Sequence, residues 1–154
     1  MPETPPAPST IRTLPSWLLG RAAARGRALV AEALAAEGMK MWHHVVLAAV
    51  ADLGPVAQAD LGRSVALDPK DMVGVLNDLQ RAGLVDRAPD PADRRKNAVT
   101  ITDEGRRTIR RCARAAREAN AELLAPLTEG EREQFMEMLT RLALPSREPS
   151  PPGA

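Results

Sequence analysis

A chain of 154 residues accommodates one compact domain, with or without an attached dimerisation element, and leaves no room for a second domain of enzyme size. Ala, Leu, Arg and Glu dominate while aromatic residues make up 2%, which argues for a mostly helical fold with an aliphatic core and against a large sheet. The formal net charge of +1 leaves a polyanionic partner open, and a single cysteine, Cys112, excludes an internal disulfide and a thiolate zinc cluster and suits a reducing cytoplasm.

In chain order, Met1 to Thr13 is rich in Pro and Ser and is expected to be a disordered tail. It lacks the basic-then-apolar order of an export signal, and no apolar run approaches the ~18 residues that span a bilayer, so neither export nor a membrane partner is expected. Ser16 is the expected N-cap of a first helix carrying Leu18, Leu19, Ala22, Leu29 and Val30 at helical spacing until Gly38. A second helix, Met41 to Leu53, is apolar almost all round at its centre and so belongs inside the fold.

A short third helix is expected from Gln58 to Val65. A fourth follows, with Asp68 as cap, Pro69 at the first helical position and Asp71 in the first turn, where the positive helix end favours an anion. Met72, Val75, Leu76 and Leu79 form its inward stripe, and Gly83 stops it. Two helices joined by so short a turn form a helix-turn-helix. Leu84 to Arg87 and Ala98 to Ile101 then flank a polar, Pro-containing stretch, the pattern of a β-hairpin with a charged tip. Thr102 caps a long fifth helix to about Leu124. Thr128 and Glu131 have capping-box spacing at the start of a sixth, whose stripe is Phe135, Met138, Leu139 and Leu142. Pro145 to Ala154 is expected to be a second disordered tail.

The run Asp90-Pro91-Ala92-Asp93-Arg94-Arg95, followed by Val99-Thr100-Ile101-Thr102-Asp103-Glu104-Gly105, resembles the wing of the multiple-antibiotic-resistance regulator (MarR) family of winged-helix repressors, with isoleucine where Leu is usual. Gln58-Ala59-Asp60-Leu61 and the stretch Leu79 to Arg87 resemble that family's third-helix start and recognition-helix exit. The resemblance implies a mostly α fold, a winged helix-turn-helix over about 41–105 with a two-stranded wing, flanked by dimerisation helices at about 14–37 and 102–144. It also implies a homodimer on a pseudo-palindromic operator, Arg95 in the minor groove with its guanidinium held by Asp93, and a small aromatic or phenolic ligand that relieves repression.

Read residue by residue, the outward face of the fourth helix is Pro69, Lys70, Asp71, Val73, Gly74 and Asn77. Lys70 suits guanine or phosphate, Asp71 a cytosine amino group and Asn77 adenine, while Gly74 departs from the polar residue usual in the family. Arg94, Arg95 and Lys96 form the wing tip, and Gln58, Arg63 and Ser64 are expected at phosphates, which position a protein without reading sequence. For each of these the alternative is a charged surface that merely meets water. From Val56 to Gly105 seven basic residues face nine acidic ones, a net −2, so attraction to DNA has to come from local arrangement and from Arg106, Arg107, Arg110 and Arg111 after the wing.

A single module reads too few base pairs for genomic specificity, so the unpartnered stripes of the first and sixth helices (Leu18, Leu19, Ala22, Leu29; Phe135, Met138, Leu139, Leu142) are expected to form the dimer surface. Met39, Trp42, His43 and His44 are the candidate ligand pocket, core packing being the alternative for each. A regulator without any ligand is one alternative, and a redox sensor at Cys112, which lies among Arg110, Arg111 and Arg114, is another, although the role expected of Cys112 is that of a small hydrophobe at a helix interface. No nucleophile–base–orienter set, phosphate loop or metal cluster is visible, so neither enzymatic activity nor a cofactor is expected.

Overall fold

The computed structural model describes residues 6–144, so the C-terminal tail expectation and the first five residues lie outside it. A helical turn, α1 (Ser9–Arg12), precedes the long α2 (Pro15–Ala36). The N-terminal stretch is therefore not uniformly irregular. Pro15 rather than Ser16 marks the start of α2, its fixed φ suiting the first helical position, with Leu14 extended before it. Next come α3 (Met41–Leu53), α4 (Gln58–Val65) and α5 (Pro69–Arg81), as the capping and periodicity predict. The Asp68 carboxylate accepts from the Lys70 amide at 2.8 Å, and the turn before it pivots on Ala66 at φ 54°, the left-handed cap conformation.

The sheet is larger than a two-stranded wing. Strands β2 (Val85–Pro89) and β3 (Asn97–Ile101) form the expected hairpin, but β1 (Val56–Ala57) also pairs antiparallel with β3, in the order β1-β3-β2. Two residues carry too little alternation to read as a strand, and β1 exists because β3 offers it a partner. The chain ends in α6 (Asp103–Leu123) and α7 (Glu129–Ala143), the latter opened by a complete Thr128–Glu131 capping box.

The core lies where α3, α4, α5 and the sheet meet, around Val46, Leu47, Val50, Leu61, Met72, Leu76, Leu79, Val85 and Val99. All four predicted inward residues of α5 are buried in it. α2 and α6 cross at Gly26, where an added Cβ would stand 3.0 Å from a Leu123 methyl. By contrast α7 buries none of its residues within the chain, although it is well capped.

Cys112 is fully buried, and its burial pushes the thiol pKa up, with Glu37 adding to the rise and Arg111 opposing it. The neighbouring arginines thus do not lower the thiol pKa, and the environment of Cys112 is that of the small apolar side chain at a helix interface expected from the sequence.

Among the described glycines the tightest surroundings are at Gly105, in the first turn of α6. A Cβ there would overlap the Leu84 carbonyl oxygen and crowd Ile101. Gly105→Ala is therefore expected to lower stability by about 1–3 kcal/mol, the range for overpacking a rigid site. A shift of the urea unfolding midpoint checks this, and an unshifted midpoint would mean that the backbone there yields freely.

Candidate nucleic-acid interface

The helices α4 and α5 and the tip end of β3 in the wing open on one side of the lobe. Between them lies a cleft of about 610 Å³, with Leu67, Met72 and Val73 in its walls and Gln58, Arg63 and Lys96 among its polar residues. Of the outward α5 residues, Pro69, Lys70, Asp71, Val73 and Gly74 are exposed and Asn77 is half-buried. A Cβ added at Gly74 would meet nothing within 4 Å, so no packing demands a glycine there.

The wing tip is closed by its own backbone. Asp90 N–H donates to the Lys96 carbonyl at 2.7 Å, and Lys96 N–H to the Asp93 carbonyl at 2.9 Å. Asp93 Oδ1 accepts from the Arg95 amide at 3.1 Å and from Arg95 Nε at 3.3 Å, while the Arg95 side chain stays 92% exposed. The carboxylate thus orients the guanidinium without covering it. Arg94 and Lys96 are exposed, and neither has a carboxylate partner among the described residues.

The acidic excess of the lobe is largely spent internally. Asp60 pairs with Arg63, Asp68 caps α5, and Asp90 accepts from the Ala92 amide at 2.8 Å. Asp78 lies 2.9 Å from His43 Nε2 and 3.0 Å from Arg81, contacts that hold its carboxyl below the usual range, the His43 hydrogen bond most of all. Glu104 is held low by Arg107. Net charge therefore misstates what this face presents to a polyanion.

Arg63 is exposed beside Asp60. The Ser64 hydroxyl donates to the Leu61 carbonyl at 2.8 Å, so its proton is already used within α4. Arg106, Arg107, Arg110 and Arg111 are exposed on α6, with Arg107 tied to Glu104 and Arg111 to Glu37 at 3.2 Å.

Arg87 and Gln80 are not among the sequence-based candidates, yet Arg87 joins Gln80 to the candidate Asn77. Arg87 on β2 donates through Nη2 to Asn77 Oδ1 at 2.5 Å and through Nε to Gln80 Oε1 at 2.7 Å, joining the wing to α5. A signal is present, because strand alternation puts Arg87 on the same face as the buried Val85, where a charge needs partners.

The four candidate pocket residues do not share one environment. Met39 is buried in the core, Trp42 is 48% exposed, and His43 reaches Asp78 from α3. His44 is half-buried, and desolvation lowers its pKa. Of the expected dimer stripe, Leu18, Leu19, Ala22, Met138 and Leu142 are exposed, Leu142 at 69%, while Leu29, Phe135 and Leu139 are half-buried. Ile11, Leu14, Met136 and Leu144 extend the exposed apolar surface.

A helix-turn-helix with a hairpin beside it, both opening on one face, defines a winged-helix DNA-binding protein. Residues 37–96 match the sequence model of the MarR family. The HTH-type transcriptional repressor Rv2887 of Mycobacterium tuberculosis is 32% identical over 126 residues, which are 82% of this chain and 91% of the repressor. The repressor NicR of Pseudomonas putida is 33% identical over 98 residues, 64% of this chain and 62% of NicR. The crystal structure of Rv2887 complexed with DNA matches with a TM-score of 0.73 at 31% identity, covering 84% of this chain and 98% of that one. Rv2887 complexed with p-aminosalicylic acid matches with a TM-score of 0.70 at 30% identity, covering 85% and 99%. The chain belongs to the MarR family of transcriptional regulators.

Because Gly74 stands in open space, Gly74→Ala is expected to raise stability by about 0.5–1 kcal/mol through helix propensity alone. A higher urea midpoint with an unchanged circular dichroism spectrum checks this.

Proposed function

We propose that the protein is a homodimeric repressor that reads a pseudo-palindromic operator in the cytoplasm and catalyses no reaction. In this reading α5 lies in the major groove with Lys70, Asp71, Val73 and Asn77 toward the bases, and Pro69 and Gly74 allow close approach. Gln58, Arg63 and Ser64 meet phosphates as donors, Ser64 by turning its hydroxyl proton from the Leu61 carbonyl to a phosphate oxygen. Arg94, Arg95 and Lys96 follow the minor groove, where a planar, permanent cation suits the concentrated negative potential. The observation that carries the reading is the Asp93–Arg95 clasp on an otherwise uncovered wing tip.

In this reading residues 14–144 form one unit, in which the winged helix of 41–105 is set between dimerisation helices. Support for a dimer comes from α7, which buries nothing within its own chain, and from the apolar residues that α2 and α7 leave exposed. Relief by a small aromatic acid is supported by the p-aminosalicylic acid complex of Rv2887. Met39, Trp42, His43 and His44 would feel such a ligand, and the His43–Asp78 contact between α3 and α5 gives it a direct route to the recognition helix.

Arg95→Ala is expected to weaken operator binding by about 1–3 kcal/mol in a gel shift while leaving thermal stability unchanged. Asp93→Ala should lose most of the same affinity, because a freed guanidinium has to be ordered on binding. Normal affinity of both variants at physiological salt would remove the wing from the mechanism.

Leu142→Glu tests the dimer without disturbing the chain's own core, since Leu142 is largely exposed within it. The variant is expected to sediment as a monomer at micromolar concentration and to keep only weak, salt-sensitive DNA binding. A variant that remains dimeric with full operator affinity would move the interface elsewhere.

A further inference from the structure

We propose that Arg87 is a positioning residue that sets base preference, by turning the Asn77 amide so that its NH2 group rather than its oxygen faces the groove. The inference rests on the reading that α5 occupies the major groove. Arg87 can only donate hydrogen bonds, so the atom of Asn77 that meets it at 2.5 Å has to be the carbonyl oxygen. The amide orientation, ordinarily a matter of assignment, is fixed here by the chemistry of the partner.

The clamp is doubly anchored. The same guanidinium holds Gln80 Oε1 at 2.7 Å, one turn further along the helix, so rotating Asn77 would mean breaking one arm of a two-armed contact. Arg87 is half-buried and has no carboxylate partner among the described residues, which leaves these two amide oxygens as its compensation for lost water.

A free asparagine recognises adenine with two bonds, accepting from N6 and donating to N7. With its oxygen drawn toward β2, Asn77 offers the groove donors alone. Guanine presents two acceptors, N7 and O6, and thymine presents O4. Adenine presents N7 beside an amino group that a donor does not match. The preferred partner therefore shifts from adenine to guanine or thymine.

Selection of bound duplexes from a random pool tests this with the full-length protein. The position whose preference disappears in Asn77→Ala is the one that Asn77 reads. In the wild type it should carry guanine or thymine in preference to adenine. Arg87→Leu frees the amide, and adenine should gain about fivefold there while the other positions keep their preferences. A purely structural role of Arg87 would lower affinity for all sequences alike and leave that single position unchanged, which would overturn the proposal. An adenine preference in the wild type at that position overturns it too, and decides the matter even if Arg87→Leu fails to fold. Asn77→Ala without any positional effect also overturns it. A wild-type protein that enriches no sequence overturns the DNA-binding reading as a whole, an outcome distinct from enrichment that Arg87 does not alter.

Discussion

Thr102 holds together the three parts on which everything else depends. Its amide donates to the Leu84 carbonyl at 3.0 Å, its hydroxyl donates to the Gly83 carbonyl at 2.6 Å, and the same hydroxyl accepts from the Gly105 amide at 3.0 Å. One short side chain thus fastens the exit of α5, the root of the wing and the first turn of α6. The approach is possible because residue 105 has no side chain. The distance between the recognition helix and the long helix behind it is set here by backbone groups, which transmit a shift more faithfully than flexible side chains do.

Electrostatics acts on the scale of individual contacts. The lobe carries more acidic than basic residues, yet Asp60, Asp68, Asp78, Asp90, Asp93 and Glu104 are each engaged by a neighbouring donor. The wing arginines and Lys70 are left facing outward. Such a face attracts a polyanion by arrangement, with modest long-range pull and marked sensitivity to salt. Asp93 serves two ends at once, since it completes the turn and orients Arg95.

What can be read in the sequence follows from how locally each feature is determined. Helices α5 to α7 are legible because their starts are written in caps, with Asp68, Thr102 and Thr128–Glu131 each satisfying amides that the helix leaves open. Helices α3 and α4 have no side-chain cap and are legible from composition, spacing and family resemblance. Strand β1 is not, because Val56-Ala57 is extended only by virtue of pairing with β3. The turn Ser9–Arg12 hides in a Pro-rich stretch. The burial of Cys112 is legible from its place on the apolar side of α6, whereas the arginines beside it along the chain say nothing of its thiol, whose pKa burial raises. The outward α5 residues and wing arginines emerge from helical period and family resemblance. The Arg87 clamp needs the register of β2 against α5, which is a tertiary fact.

The central claim is that two copies of this winged helix read one DNA site together. Sedimentation of the protein with a selected, fluorescently labelled duplex measures this directly, provided the half-site spacing is varied in the same series. Two protein chains per duplex, with inverted half-sites preferred at about one helical turn, ~10–10.5 bp between centres, is the result expected. One chain per duplex, or affinity indifferent to the spacing, would contradict it.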